Sequence, residues 1–317
     1  MSSGFIDLKN KIPVASDLKV RYGPDGVLFF DRNTGIHILM DEIKVPKERW
    51  SRAPRHVSIA LTNACNLNCY HCFAPKHPAS LQMEQLILWL HEMDQNGCLG
   101  VGFGGGEPTL YKKLPELCRY IIQHTGLAIS MTTNAFGMTR QLAEDLKGNV
   151  HFIRVSMDGM GAVYEDIRHR SFTEFLKQLE LIREIAPFGI NYLVNRRTIS
   201  QLNKVIPFAK ETGASEILLL PEIPVNNSPG IDAGTLNGLR RWVYEYDDTV
   251  PLTISADYRE GMPVFDPMPN ETGLMAYAHI DANGILKRSS FDTSGIAIQR
   301  EGFLKALESL QKTKEDS

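Results

Sequence analysis

The chain has 317 residues, 43% of them hydrophobic and 22% charged, with a formal net charge of −3. That balance supplies a large core and argues against a nucleic-acid surface, and no run approaches the ~20 consecutive apolar residues that span a bilayer. The opening residues, Met1 to Lys9, lack a basic-then-apolar secretory signal, and five cysteines, three of them clustered, fit a reducing cytoplasm.

Residues 18–40 read as a β-hairpin, with strands at 19–22 and 27–30 about a Gly-Pro-Asp-Gly turn, followed by a turn at 33–35 into 36–39. From residue 57 the chain alternates short apolar runs with amphipathic ones. Strands are expected at 57–61, 99–103, 127–132, 152–157, 190–194 and 217–220. Helices are expected at 81–93 (Ser80 as N-cap), 114–123, 139–146, 172–185 and 199–211, the last ending on Gly213. Six such repeats argue for a parallel sheet with helices outside it. Residues 224–271 are rich in Pro, Asn and Gly, with one helix near 236–246. A second hairpin is expected over 276–288, a final helix at 303–310, and a frayed charged tail from Lys312 to Ser317.

The first strand runs into Cys65, Cys69 and Cys72, spaced C-x3-C-x2-C. A structural zinc site takes four ligands, and an ordinary iron–sulfur cluster is held by four thiolates. Three thiolates alone suggest a cluster with one iron left open for a ligand. A zinc half-site would need a second pair, and the other cysteines, Cys98 and Cys118, are isolated; they read as small core residues of the outer layer. A disulfide would suit a secreted chain, and a chance trio of buried cysteines is the remaining alternative.

This spacing resembles the signature of the radical S-adenosylmethionine (radical SAM) superfamily. The resemblance implies one [4Fe-4S] cluster on Cys65, Cys69 and Cys72, with S-adenosyl-L-methionine (SAM) chelating the fourth iron. One electron from the cluster would cleave SAM to a 5′-deoxyadenosyl radical that abstracts hydrogen from a substrate. Further motifs follow strand ends, where barrel active sites lie. Gly104, Gly105, Gly106, Glu107 and Pro108 resemble the family's GGEP motif, the glycines facing SAM's methionyl part and Glu107 accepting from its ammonium. Thr133, Asn134 and Ala135 are similar to T-N-G. Ser156, Asp158 and Gly159 with Arg168 resemble S-x-D-G…R, Arg168 being preferred to Arg170 as partner of SAM's carboxylate. Asn195 would face the adenosine, and Glu222 is a possible substrate contact. His71 reads as packing beside the cluster or adenine, not as a ligand. Turn-forming roles compete at Asn134 and at Asp158–Gly159.

The implied fold is α/β: a partial (β/α)6 TIM-like barrel over 55–222, with a short N-terminal β-hairpin extension over 1–54 and a small C-terminal β-hairpin/helix extension over 223–317. The last resembles a SPASM or twitch extension, yet no cysteine follows Cys118, so a second cluster is not expected, and redox-neutral outcomes, or ones in which SAM's own cleavage supplies the oxidation, are favoured. The expected substrate is a peptide or natural-product precursor, with maturation of a ribosomally made peptide favoured. The rivals are a small metabolite (sugar, nucleoside or amino acid) and a non-catalytic metal-stabilised binding protein. An external electron donor of flavodoxin or ferredoxin type is implied, and a separate peptide-recognition protein is compatible; neither nucleic acid nor membrane is expected as a partner. The sequence names no catalytic residue. Tyr164, Tyr192, Glu222 and Tyr277 are unranked candidates for steering a substrate radical.

Overall fold

The structure, a computed structural model, describes residues 18–225 and 228–313. The readings of residues 1–9 and of the tail from residue 314 lie outside that range. Two sheets organise the chain. The first is antiparallel, β1 (Lys19–Gly23), β2 (Gly26–Phe30) and β3 (His37–Met40) in that order, so the expected hairpin gains a third strand. Leu28 and Phe30 bury its inner face against Leu99 and Met268.

The second sheet has ten strands in the order β10-β9-β8-β7-β6-β5-β4-β11-β12-β13. Its centre is β4 (His56–Thr62), β5 (Gly100–Gly105), β6 (Ala128–Thr133), β7 (Phe152–Met157), β8 (Phe188–Val194) and β9 (Ile217–Pro221), parallel and in chain order. Sequential parallel strands need right-handed crossovers that all step the same way, which places the connecting helices on one face. Those helices are α1 (Met83–Gln95), α2 (Leu114–His124), α3 (Arg140–Leu146), α4 (Ala162–Arg168), α5 (Phe172–Arg183) and α6 (Leu202–Thr212). Their apolar stripes form one core with the strands: Leu86, Leu90 and Met93 of α1 pack with Val57, Ile59 and Leu61 of β4. The opposite strand positions carry His56, Ser58, Ser130, Arg154 and Ser156, polar and half-buried. Thr139 and Ser171 cap α3 and α5 through backbone N–H bonds, each cap worth about 1 kcal/mol.

The sheet extends past the six expected strands at both ends. β10 (Leu252–Ile254) pairs parallel with β9, and β11 (Tyr277–Ile280) pairs parallel with β4. β12 (Ile285–Lys287) and β13 (Ile296–Ala297) continue antiparallel, so the C-terminal hairpin is stitched into the central sheet. Helices α7 (Ala233–Tyr244) and α8 (Phe303–Lys312) complete the chain. Three local expectations are corrected. Helix α1 begins after Gln82 without a side-chain cap, because Ser80 donates instead to the Leu61 carbonyl and bridges β4. Helix α4 was not expected, its seven residues being too few to show a period behind Gly159 and Gly161. Strands β10 and β13, three and two residues long, are likewise too short for an alternation to register. Among the described residues no helix is long and apolar enough to cross a membrane.

Candidate functional site

The cysteine loop leaves β4 at Thr62 and returns at Ser80. Its base is closed by bonds from Asn63 N–H and Thr62 Oγ1 to the Ala79 carbonyl, and from Asn63 Nδ2 to the His77 carbonyl at 3.1 Å. Cys65, Cys69 and Cys72 are free and half-buried on it. Burial pushes the thiols of Cys65 and Cys69 above their ordinary range. Cys65 Sγ accepts from Leu67 N–H at 3.4 Å and from Asn134 Nδ2 at 3.8 Å, donors suited to a sulfur that carries charge. Among the described residues no three His, Cys, Asp or Glu side chains surround one ion. In a four-iron cluster each thiolate ligates a different iron, so such a set is wider than the shell of a single ion.

The glycine run at the end of β5 meets the loop from the side. A Cβ on Gly105 would lie 2.3 Å from the Thr62 carbonyl oxygen, and one on Gly106 would lie 2.2 Å from that of Ala64. Those two glycines are therefore required by the chain's own close approach, sealed by Gly106 N–H to Thr62 O and Glu107 N–H to Ala64 O, each 2.8 Å. Gly104 differs: it is paired with Ala60 of β4, and a Cβ there would meet nothing within 4 Å, so one side of it is open. Glu107 is turned inward. Its Oε1 accepts from Thr109 N–H, Thr109 Oγ1 and Thr133 Oγ1, and its Oε2 from Asn134 N–H at 2.8 Å. It joins the ends of β5 and β6, and Pro108 begins the short turn that it caps. Burial still raises its carboxyl above the ordinary range, against the pull of those donors. Asn134 passes the linkage on, donating to Asn66 Oδ1 at 2.8 Å. Ala135 takes φ 77°, the left-handed region that a glycine would occupy without cost, and that is where the sequence departs from T-N-G.

On the far side of the loop, Asp158 holds His71 Nε2 at 3.0 Å and Arg168 Nε at 2.5 Å. Burial alone would raise the Asp158 carboxyl; the Arg168 guanidinium and His71 overcome it and hold it at about 2. Arg168, expected to pair with a SAM carboxylate, is ion-paired through Nε with Asp158. Arg170 is exposed and donates to the Asn66 carbonyl at 3.1 Å. Asn195, expected to face the adenosine, is bonded within the chain. Its amide donates to Glu222 Oε2 at 2.7 Å and Tyr70 Oη at 3.2 Å, while its Oδ1 accepts from the N–H groups of Arg197 and Thr198, so its hydrogen-bonding capacity is filled. Ser156 is half-buried on the face away from the helices, and its hydroxyl has no partner among the described residues. The pairings of His71 with Asp158 and of Tyr70 with Asn195 were not legible in the sequence, which shows no signal joining a loop to distant strand ends.

These residues fit an iron–sulfur cluster with SAM. The donors are soft sulfurs on one anchored loop, His71 Nδ1 is buried without a partner, the space beside Gly104 is open, and Ser156 carries a half-buried hydroxyl. Residues 59–206 match the family described as the radical SAM superfamily. That segment carries a radical SAM domain. The chain is 28% identical over 218 residues to the AdoMet-dependent heme synthase of Methanosarcina barkeri, covering 65% of this chain and 62% of that one. It is 30% identical over 189 residues to a probable GTP 3',8-cyclase of Saccharolobus solfataricus, covering 56% and 60%. It thus spans about three fifths of the length of these curated relatives. Streptococcus suis SuiB, solved with its precursor peptide SuiA, shares the fold with a TM-score of 0.75 at 13% identity over 93% of this chain and 88% of that one.

Proposed function

We propose that this radical SAM enzyme carries a single four-iron cluster on Cys65, Cys69 and Cys72 and acts on a peptide or natural-product precursor. With the cluster and SAM bound, the site would supply a 5′-deoxyadenosyl radical by one-electron reductive cleavage, the electron coming from an external carrier. The chain's own residues hold the parts in place. Glu107 and Asn134 clamp the loop to β5 and β6, and Asp158 clamps it to α4 through Arg168. Gly104 leaves open space for SAM, and Ser156 offers it a hydroxyl. The observation that carries the reading is the cysteine trio fixed by three strand ends.

The peptide part is supported by likeness of fold to SuiB, solved with a precursor peptide, along nearly the whole chain. A small metabolite is the second reading, favoured by the names of the heme synthase and GTP 3',8-cyclase relatives. The test is anaerobic reconstitution followed by dithionite and SAM, reading 5′-deoxyadenosine. Wild type should form it and Cys65→Ala should not; formation by Cys65→Ala would refute the ligand assignment. Mass spectrometry of a peptide encoded beside the gene, with and without enzyme, then separates the two substrate classes.

A further inference from the structure

Buried carboxylates need a counter-charge or a full set of donors, because desolvating a lone charge is costly. In this chain Asp158 has Arg168 and His71, Glu271 has Arg21, and Asp281 has Lys287. Glu107 has no cation but accepts four hydrogen bonds, two of them from backbone N–H groups. Glu222 has neither. It is only 5% exposed, yet its side chain accepts from two neutral groups, Asn195 Nδ2 and Ser228 Oγ. Among the described residues no Lys, Arg or His lies within ion-pair distance of it. A carboxylate offers about four acceptor sites, and among the described residues about two have no donor.

The position gives that charge a use. Leu218 and Leu220 of β9 are half-buried on the polar face of the sheet while Ile217, Leu219 and Pro221 are buried on the other. Glu222, next in the alternation, continues the polar side just past the strand's C-terminal end, where barrel sites lie. Asn195 ties it to Tyr70, which stands between Cys69 and His71.

We propose that Glu222 binds a cationic nitrogen of the substrate, an ammonium or a guanidinium, and holds it beside the cysteine loop. This rests on the radical SAM reading of the loop. A buried carboxylate waiting for its cation gains an ion pair with no competing protein partner, and a charge-assisted bond of this kind is about twice as strong as a neutral one. The alkyl stem attached to that nitrogen would then lie along Leu220.

The test is binding alone, on reconstituted enzyme saturated with SAM, by calorimetry with n-butylguanidinium and its neutral isostere n-butylurea. Wild type should prefer the cation at least tenfold. Glu222→Gln should lose the preference and Glu222→Asp, which keeps the charge, should retain part of it. Circular dichroism of each variant verifies folding. No preference in wild type, or an equal preference in Glu222→Gln, overturns the proposal. So does a fall in SAM affinity in Glu222→Gln with the cation preference intact, which would assign the carboxylate to the cofactor. Failure of wild type to form 5′-deoxyadenosine would instead count against the radical SAM reading, since the cation measurement involves no turnover.

Discussion

Asp158 fastens the cysteine loop to the barrel. One carboxylate, buried between Arg168 and His71, satisfies a guanidinium that would otherwise be stranded and orients an imidazole adjacent to Cys72. The contrast with the other cysteines is chemical as much as positional. Burial pushes the Cys98 thiol up to about 11 and the Cys118 thiol up to about 12, so both stay protonated and inert. Cys98→Ala and Cys118→Ala should therefore leave the iron content of the reconstituted protein unchanged, whereas Cys69→Ala or Cys72→Ala should lower it and bleach the visible absorption. Iron assays on these four single variants decide this; a loss with Cys98→Ala would mean that the ligand set is wrong. The trio was legible because its spacing is local in the chain. The saturation of Asn195 and the pairing of Arg168 with Asp158 were not, because both depend on which groups the folded strand ends bring together. A motif names the residues at a site without saying which of their hydrogen bonds are already taken.

The elements that place these residues are strands with two unlike faces. Period-two alternation made β4 to β9 visible in the sequence, since Val57, Ile59 and Leu61 must reach the helices. What alternation could not show is the neighbour of β4 on its other edge. The parallel pairing of β11 brings Tyr277 and His279 beside Ser58: Tyr277 Oη and Ser58 Oγ are 2.6 Å apart, as are Ser58 Oγ and His279 Nδ1. Strand pairing between ends of a chain leaves no local trace. It has a measurable consequence, because burial lowers His279 to about 4, helped by Lys287 and opposed by Asp281 and Asp292. Burial also lowers His56 to about 4, helped by Arg154 and Arg55. Both are neutral in the fold and would protonate near 6.5 when unfolded, so their stabilisation is complete above pH ~6.5 and is lost as pH falls toward 4. Each shift corresponds to about 3 kcal/mol when fully expressed. Urea midpoints should fall steadily from pH 6.5 to 4.5, and His279→Gln should flatten the slope. A flat wild-type profile across that window would show that these imidazoles are not held neutral.

At the scale of the molecule, the segments flanking residues 59–206 meet the central sheet at one buried cation. Arg21, on β1, is 2% exposed. Its Nε donates to Glu271 Oε1 at 2.9 Å, its Nη1 to the carbonyls of Ala53 and Gly97, and its Nη2 to that of Met275. One guanidinium thus touches the segment leading into β4, the turn before β5 and the segment leading into β11. Four acceptors in one plane suit the guanidinium fork and exceed the three donors of a lysine. The likeness of fold to SuiB along 93% of the chain, against a family match over 59–206, fits flanks that are built into the barrel's own sheet through β11. Breaking such a pair by removing one partner leaves a buried charge, at a typical cost of 3–5 kcal/mol. Arg21→Ala should therefore lower the denaturation midpoint by that equivalent, with Arg55, 3.8 Å from Glu271, relieving part of it. Arg21→Lys should recover less than half of the loss. The double variant Arg21→Ala with Glu271→Gln should be more stable than Arg21→Ala alone, because the orphaned carboxylate is gone. If Arg21→Ala costs less than ~1 kcal/mol, the flanks are held by apolar packing of Leu28, Phe30 and Met268 instead, and the guanidinium is incidental to their attachment.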